Sequence, residues 1–288
     1  MTRPWTYSAA TQRPEGRWPN GARVALWVAV GVESYRSDDG MTEDILLRGA
    51  APDLANAAWR DYGNRIGAFR LFERLSGMGI RPTVLLNTDV YDEAPEVIAA
   101  ARAAGAEFVA HGKSNSDSLP ALPAGREAAY VAEVRARISA QEGCAPDGWS
   151  SPWLAHTPTS LASLSGAGYR YVLDLRLDDQ PVWLEASAGR LLAIPYAAEL
   201  NDSTTMIGRQ MDPHSFATAL LDEAKELAQS AQPVVMSVVL HSFISGQPWR
   251  VRPLITALSE IAAMPGVWLT TPSEIHAAVL SRPELAVG

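Results

Sequence analysis

The sequence predicts an α/β fold, an irregular (β/α) barrel of seven or eight strand–helix units. Short apolar runs without polar alternation recur along the chain, as strands buried on both faces of a parallel sheet require. Between them lie stretches with apolar residues at helical spacing. No Pro-, Gly- or Ser-rich linker divides the 288 residues, so one closed unit fits better than two domains. Residues 1–288 are read as a single domain with an extended N-terminal segment of about twenty residues. A doubly wound open sheet is the alternative, but no G-x-G-x-x-G follows the first strand to cradle a dinucleotide.

The elements follow in order. After a Pro19-Asn20-Gly21 turn, residues 23–32 (RVALWVAVGV) form the first buried strand. Residues 36–61 carry Asp38-Asp39-Gly40 and little periodicity, which reads as a lid or an assembly arm. Ile66, Phe69, Leu71, Phe72 and Leu75 place a helix over 62–78, closed by Gly77 and Gly79. A β-rich run at 83–86, a helix over 95–104 entered through Pro95, and a strand at 107–110 come next. Val131, Val134 and Ile138 make one stripe of a helix over 126–140. Residues 148–150 read as a short strand, and 157–165 as a helix with Thr157 as N-cap and Pro158 in its first position. A strand over 169–173 precedes a hairpin, in which 182–184 and 191–194 flank Ser187-Ala188-Gly189. Asp212-Pro213 opens a helix to about residue 229, and 234–240 is the clearest buried strand. A helix over 253–263, a strand over 267–270 and a helix capped by Thr271-Pro272 complete the pattern.

Composition works by exclusion. With 47% hydrophobic and 19% charged residues, the chain has the material for a large core and not the balance of a disordered one. The net charge of -8 comes without clustered Lys or Arg, so no nucleic-acid partner is expected. A single cysteine, Cys144, excludes an intrachain disulfide and a thiolate metal cluster; beside a helix end, it reads as structural or incidental. The N-terminus shows no apolar leader, and no run reaches the roughly 18 apolar residues of a membrane span. A cytoplasmic protein with no membrane partner is the expectation. Nine tryptophans point to pocket lining and to the packing of long loops.

In a parallel barrel, reacting groups gather where strands end. Glu33, His111, Asp174 and His241 each follow an expected strand. A lone Glu or His there is often solvated or structural; their shared placement favours Glu33, His111 and His241 as the catalytic set. Asp174 stands close to Asp178 and Asp179, so a surface role competes with a place in the site. His156, His214 and His276 occupy loop or helix contexts and read as structural or surface groups. Asn115, Trp153, Asp174, Tyr196, Arg209 and Trp249 are the candidate substrate-binding residues. Trp153 and Trp249 lie in loops after strand ends, and Arg209 lies in a polar stretch after Pro195-Tyr196 that includes residues 201–204. A tight divalent site wants at least three converging His or carboxylate ligands. Here Ser34 follows Glu33, and Asn115 stands four residues after His111 where a second histidine would complete a pair. No metal ligand is assigned and no cofactor is expected. The expected partners are a small-molecule substrate and further copies of the chain, joined through the long loops.

Several stretches together resemble the polysaccharide deacetylase, or NodB-homology, superfamily. They are Trp18-Pro19-Asn20-Gly21-Ala22-Arg23-Val24, Tyr62-Gly63-Asn64-Arg65-Ile66-Gly67, Ala110-His111-Gly112, and Leu240-His241 followed by Ser245-Gly246-Gln247-Pro248-Trp249-Arg250. The resemblance covers about residues 19–278 and is closest to the branch that includes the cofactor-free allantoinase. It implies an irregular NodB-type barrel and hydrolysis of a non-peptide carbon–nitrogen bond. Metal-dependent members carry an Asp pair, a His-x-x-x-His segment and an Arg in a Pro loop; here those places read Glu33-Ser34, His111 to Asn115, and Ser150-Ser151-Pro152-Trp153. Two of three metal-ligand positions are therefore Ser34 and Asn115, and the family's zinc or cobalt dependence is not carried over. The resemblance implies Glu33 as base or substrate-orienting group and His241 as general acid. His111 would polarise the carbonyl or hold water, with a backbone N–H, Asn115 or Lys113 at the oxyanion. Two alternatives stay open: a metal-dependent deacetylase of N-acetyl sugars, with an ion held weakly by Glu33, His111 and Asn115, and a catalytically inactive small-molecule-binding member of the same fold.

Overall fold

The computed structural model of the chain describes residues 3–36, 39–49 and 51–288; Asp38, within the expected long loop, lies outside them. The strands are β1 (Val24–Val32), β2 (Pro82–Leu86), β3 (Glu107–Ala110), β4 (Gly148–Trp149), β5 (Tyr171–Val172), β6 (Val182–Leu184), β7 (Leu191–Ala193), β8 (Val234–His241) and β9 (Val267–Leu269). They form one sheet in the order β6-β7-β5-β4-β3-β2-β1-β8, with β9 also paired to β1. All pairings are parallel except the β6–β7 hairpin.

β1 is the hub. One of its edges pairs with β8 from Val24 to Gly31; the other is shared, β9 taking Val24 to Leu26 and β2 taking Val28 to Val32. Such a strand has no wet face, which is why its sequence is an unbroken apolar run and every residue in it is buried. Its side chains alternate. Val24, Leu26, Val28, Val30 and Val32 pack outward with Leu71, Phe72 and Leu75, while Ala25, Trp27 and Ala29 pack inward with Leu85, Val109, Val235 and Val239. The small alanines on either side leave the barrel axis to the Trp27 indole. Regular pairing lapses between β8 and the hairpin edge, where Asn201 bridges Val239 and the Asp179 carbonyl accepts the Val235 N–H at 2.8 Å. The result is an irregular (β/α) barrel, as the sequence predicts.

The helices are α1 (Leu54–Tyr62), α2 (Ala68–Ser76), α3 (Val90–Glu93), α4 (Pro95–Ala103), α5 (Glu127–Glu142), α6 (Ser160–Ala167), α7 (Pro213–Leu227), α8 (Ser242–Ser245), α9 (Pro248–Ala262) and α10 (Pro272–Ser281). The short helices α3 and α8 are not among those expected, and three others start elsewhere than expected. The helix expected from residue 62 begins at Leu54, so part of the expected long loop is α1, and a π-helical turn at Gly63–Gly67 joins it to α2. The buried residues of α1 are Asn56 and Arg60, so it shows no apolar stripe. α6 starts at Ser160, three residues after the expected Thr157 cap; Thr157 donates its hydroxyl to Glu127 and accepts the Thr159 N–H, an N-cap type of bond made ahead of the regular helix. α9 starts five residues before Pro253, so that proline stands inside the helix, where its missing N–H removes one i→i−4 hydrogen bond. Among the described residues no helix is long and apolar enough to cross a membrane.

Candidate active site

The inward series of β1 runs on past Trp27 and Ala29 through Gly31 to Glu33, so period-2 alternation alone aims Glu33 at the barrel axis. Val235 and Val239 continue to His241 in the same way, and Val109 continues to His111. The three side chains meet at the C-terminal end of the strands, in a cavity of about 160 Å³. Glu33 Oε1 lies 3.5 Å from His241 Nε2 and 3.8 Å from His111 Nε2. Gly31 makes room for this convergence, since a Cβ there would stand 2.8 Å from Glu33 Oε1 and 3.5 Å from His241 Cδ2.

The second oxygen of Glu33 is pinned. Glu33 Oε2 accepts the Tyr35 hydroxyl at 2.7 Å and Asn115 Nδ2 at 3.3 Å, and Asn115 Nδ2 also donates to Tyr35 Oη at 2.7 Å. Turning that amide over would set its oxygen against the carboxylate, so the donor orientation is the stable one. Asn64, inside the π-helical turn, donates to the Glu33 carbonyl at 2.8 Å, which gives the Tyr62–Gly67 motif a structural purpose.

The two histidines are held in different states. His111 Nδ1 faces the Ser150 carbonyl at 2.8 Å. A carbonyl only accepts, so Nδ1 carries the proton and the neutral ring presents the Nε2 lone pair to the cavity. Burial lowers the His111 pKa from its ordinary value, against the pull of Glu33. Burial also disfavours the charged form of His241, but the Glu33 and Asp202 carboxylates outweigh it and push the pKa up to about 10. Asp202 accepts His241 Nδ1 at 2.6 Å, the His241 backbone N–H at 2.8 Å and the Ser245 hydroxyl at 2.6 Å. An imidazolium N–H and an imidazole lone pair thus face one carboxylate oxygen.

Asn115, Trp153 and Tyr196 line the same cavity. Trp153 and Leu154 hold left-handed backbone angles (φ 62° and 52°), conformations that cost roughly 1–3 kcal/mol each for non-glycine residues. Trp153 Nε1 donates to the Asn115 carbonyl at 2.7 Å, fixing the indole in the wall. The buried Tyr196 hydroxyl accepts from Asn201 Nδ2 at 3.3 Å, and burial and nearby carboxylates keep it protonated.

Other candidates fall elsewhere. Asp174 is buried beneath the wall, where its carboxylate takes the Ser151 N–H at 2.7 Å, the Ser151 hydroxyl at 2.8 Å and His156 Nε2 at 2.6 Å. It supports the Pro152 loop and does not line the cavity. His156, read as structural or surface, is its ion-pair partner. Arg209 is exposed at the end of a second π-helical turn. Trp249 is 59% exposed in the first turn of α9, with the Arg250 guanidinium 4.7 Å from its ring centre. Lys113, considered for the oxyanion, pairs outward with Glu133 at 2.6 Å. Sequence reasoning missed Tyr35, Glu43 and Asn87, whose Oδ1 accepts the Ser34 N–H at 3.0 Å. It also gave Asp202 no role of its own within the polar stretch that includes residues 201–204.

The donor set does not fit a tightly held divalent ion. Asn115 turns N–H groups, not a lone pair, toward Glu33 and Tyr35, and Ser34 is not part of the cavity wall. Among the described residues no three His, Cys, Asp or Glu side chains stand in a metal-holding arrangement.

The irregular barrel is the fold of solved structures named as a polysaccharide deacetylase and as PuuE allantoinase, in keeping with the fold that the sequence resemblance implies. The chain is 24% identical over 312 residues to a Schizosaccharomyces pombe protein named as a polysaccharide deacetylase, covering 95% of each chain. Among solved structures, a Pseudomonas aeruginosa PAO1 protein named as a polysaccharide deacetylase superposes with a TM-score of 0.85 at 22% identity, covering 93% of this chain and 95% of that one. PuuE allantoinase superposes with a TM-score of 0.85 at 22% identity, over 94% and 95%. No protein-family model matches the chain.

Proposed function

We propose that the protein hydrolyses a non-peptide carbon–nitrogen bond in a small linear or cyclic amide, without a tightly bound metal. The observation that carries this reading is the placement of Glu33 Oε1 between a lone-pair Nε2 on His111 and a protonated Nε2 on His241. A water held by Glu33 and His111 attacks the carbonyl carbon as Glu33 takes its proton. The Tyr196 hydroxyl, free to donate because it accepts from Asn201, meets the developing oxyanion. His241 gives its Nε2 proton to the leaving nitrogen as the C–N bond breaks, and the proton on Glu33 restores His241. The products are a carboxylic acid and an amine, so water is the sole co-reactant. Asp202 orients His241 and sustains its charge.

The names of the relatives support the reaction class, since deacetylation and allantoin ring opening both cleave an amide C–N bond. The cavity, at about 160 Å³, is smaller than the roughly 300–1,000 Å³ of sites for drug-sized ligands and suits a small molecule better than a polysaccharide chain. A panel of linear amides, cyclic ureides and N-acetyl sugars, assayed with and without chelator, tests the proposal. Turnover that survives the chelator and falls by roughly 10²–10⁴-fold in Glu33→Gln is the expected result. Turnover of nothing, or a stoichiometric ion in the purified protein whose removal abolishes activity, overturns it.

A further inference from the structure

Strand-end reasoning does not reach one wall of the cavity. Glu43 belongs to the segment between β1 and α1, yet it lines the same space as Glu33 and His241. The segment is strapped down from α1. Arg60 Nη1 donates to the Glu43 carbonyl at 2.9 Å and meets Asp44 Oδ1 at 2.6 Å, and Asn56 Oδ1 accepts the Ile45 and Leu46 N–H groups, each at 3.0 Å. The same guanidinium lies 5.1 Å from the centre of the Tyr35 ring, so one cation ties the strap to the residue that pins Glu33. Glu43 Oε2 accepts the Ser203 hydroxyl at 2.8 Å; among the described residues Oε1 carries no hydrogen bond.

The charge around this oxygen is one-sided. Among the described residues no Lys or Arg lines the cavity. The carboxylates of Glu33 and Glu43, with Asp202 directly behind, face the single imidazolium of His241. A ligand entering here meets acceptors in excess, and an anion would lose its water with no free cation to replace it.

We propose that Glu43 sets substrate choice: its Oε1 accepts an N–H from the substrate, and the cavity admits neutral or cationic amides while rejecting anionic ones. The inference rests on the hydrolase reading of the same site. An N–H donor or a cation satisfies an oxygen that otherwise faces only solvent, whereas a carboxylate brought beside Glu33 and Glu43 adds repulsion that the low-dielectric pocket magnifies.

Three ligands on one ring separate the terms: hydantoin, its carboxymethyl derivative and its aminoethyl derivative, titrated calorimetrically at neutral pH against the whole chain and against Glu43→Gln. The aminoethyl compound binds tightest and the carboxymethyl compound at least about tenfold weaker than hydantoin. In Glu43→Gln, shown folded by its melting curve, the advantage of the cation over the anion shrinks about tenfold. An anion that binds as tightly as the neutral ring overturns the proposal in the wild-type protein alone, whatever the fate of the variant. So does a charge ranking unchanged by Glu43→Gln, or binding by none of the three at millimolar concentration. Failure of the hydrolase reading looks different: the charge ranking holds and no amide is turned over. Failure of the Glu43 assignment leaves Glu33-dependent turnover in place without the ranking.

Discussion

Glu33 and His241 share their space because position 31 has no side chain. Gly31→Ala introduces a Cβ 2.8 Å from Glu33 Oε1, and what it meets is the end of a side chain, not backbone. The fold should therefore tolerate it while the site does not: we expect a near-normal melting temperature with a kcat reduced by at least tenfold, read from steady-state kinetics beside a melting curve. The pH profile of kcat/KM reports the two histidines. His241 must carry its proton, so activity persists as pH rises and falls away only near its pKa of about 10. His111 must be neutral, so its protonation contributes to the acid limb below its ordinary value of about 6.5. Replacing Asp202 by Asn removes a charge that holds the His241 pKa up, and the basic limb should move down toward neutrality. A basic limb unmoved in Asp202→Asn would take the acid role away from His241.

The α1–α2 helix presses on the turn after β8 through glycines. A Cβ on Gly67 would land on the Ser242 carbonyl oxygen, and one on Gly246 would land on the Gly67 backbone. Backbone cannot step aside as a side chain can, so Gly67→Ala should cost about 1–3 kcal/mol or more of stability, measured by chemical denaturation. Much of this layer was legible in the sequence. β1, β3 and β8 announced themselves as apolar runs, and Glu33, His111 and His241 could be read from their places just after those strands. α1 stayed hidden because it buries Asn56 and Arg60, which leave no apolar stripe to read. Asp202 and Glu43 lie in irregular chain, where no period says which way a side chain points, and only long-range contacts bring them to the site. Arg209 and Trp249 do not line that cavity: Arg209 ends a π-helical turn and Trp249 stands in the first turn of α9.

Across the whole molecule, the buried charge at the barrel mouth ties stability to pH. The pKa of His241 is raised in the folded state, from about 6.5 in an unfolded chain to about 10. Its contribution to stability is then complete below about pH 6.5 and is lost as pH climbs toward 10. The melting temperature of the wild type should accordingly fall more between those limits than that of His241→Asn, and comparing the two cancels the response of the other buried acids. Parallel slopes would mean that His241 is neutral in the folded protein.

The chain's one cysteine stands at the other end of the barrel. Cys144 is exposed, just past the left-handed Gly143 that closes α5 and just before β4 begins, whereas the candidate active site lies where the strands finish. A maleimide dye or a nitroxide can therefore be attached at a unique, known position without touching the reacting groups. The barrel thus comes with its own spectroscopic handle, from which distances to a labelled ligand, or between copies in an assembly, can be measured with no cysteine engineered in or out.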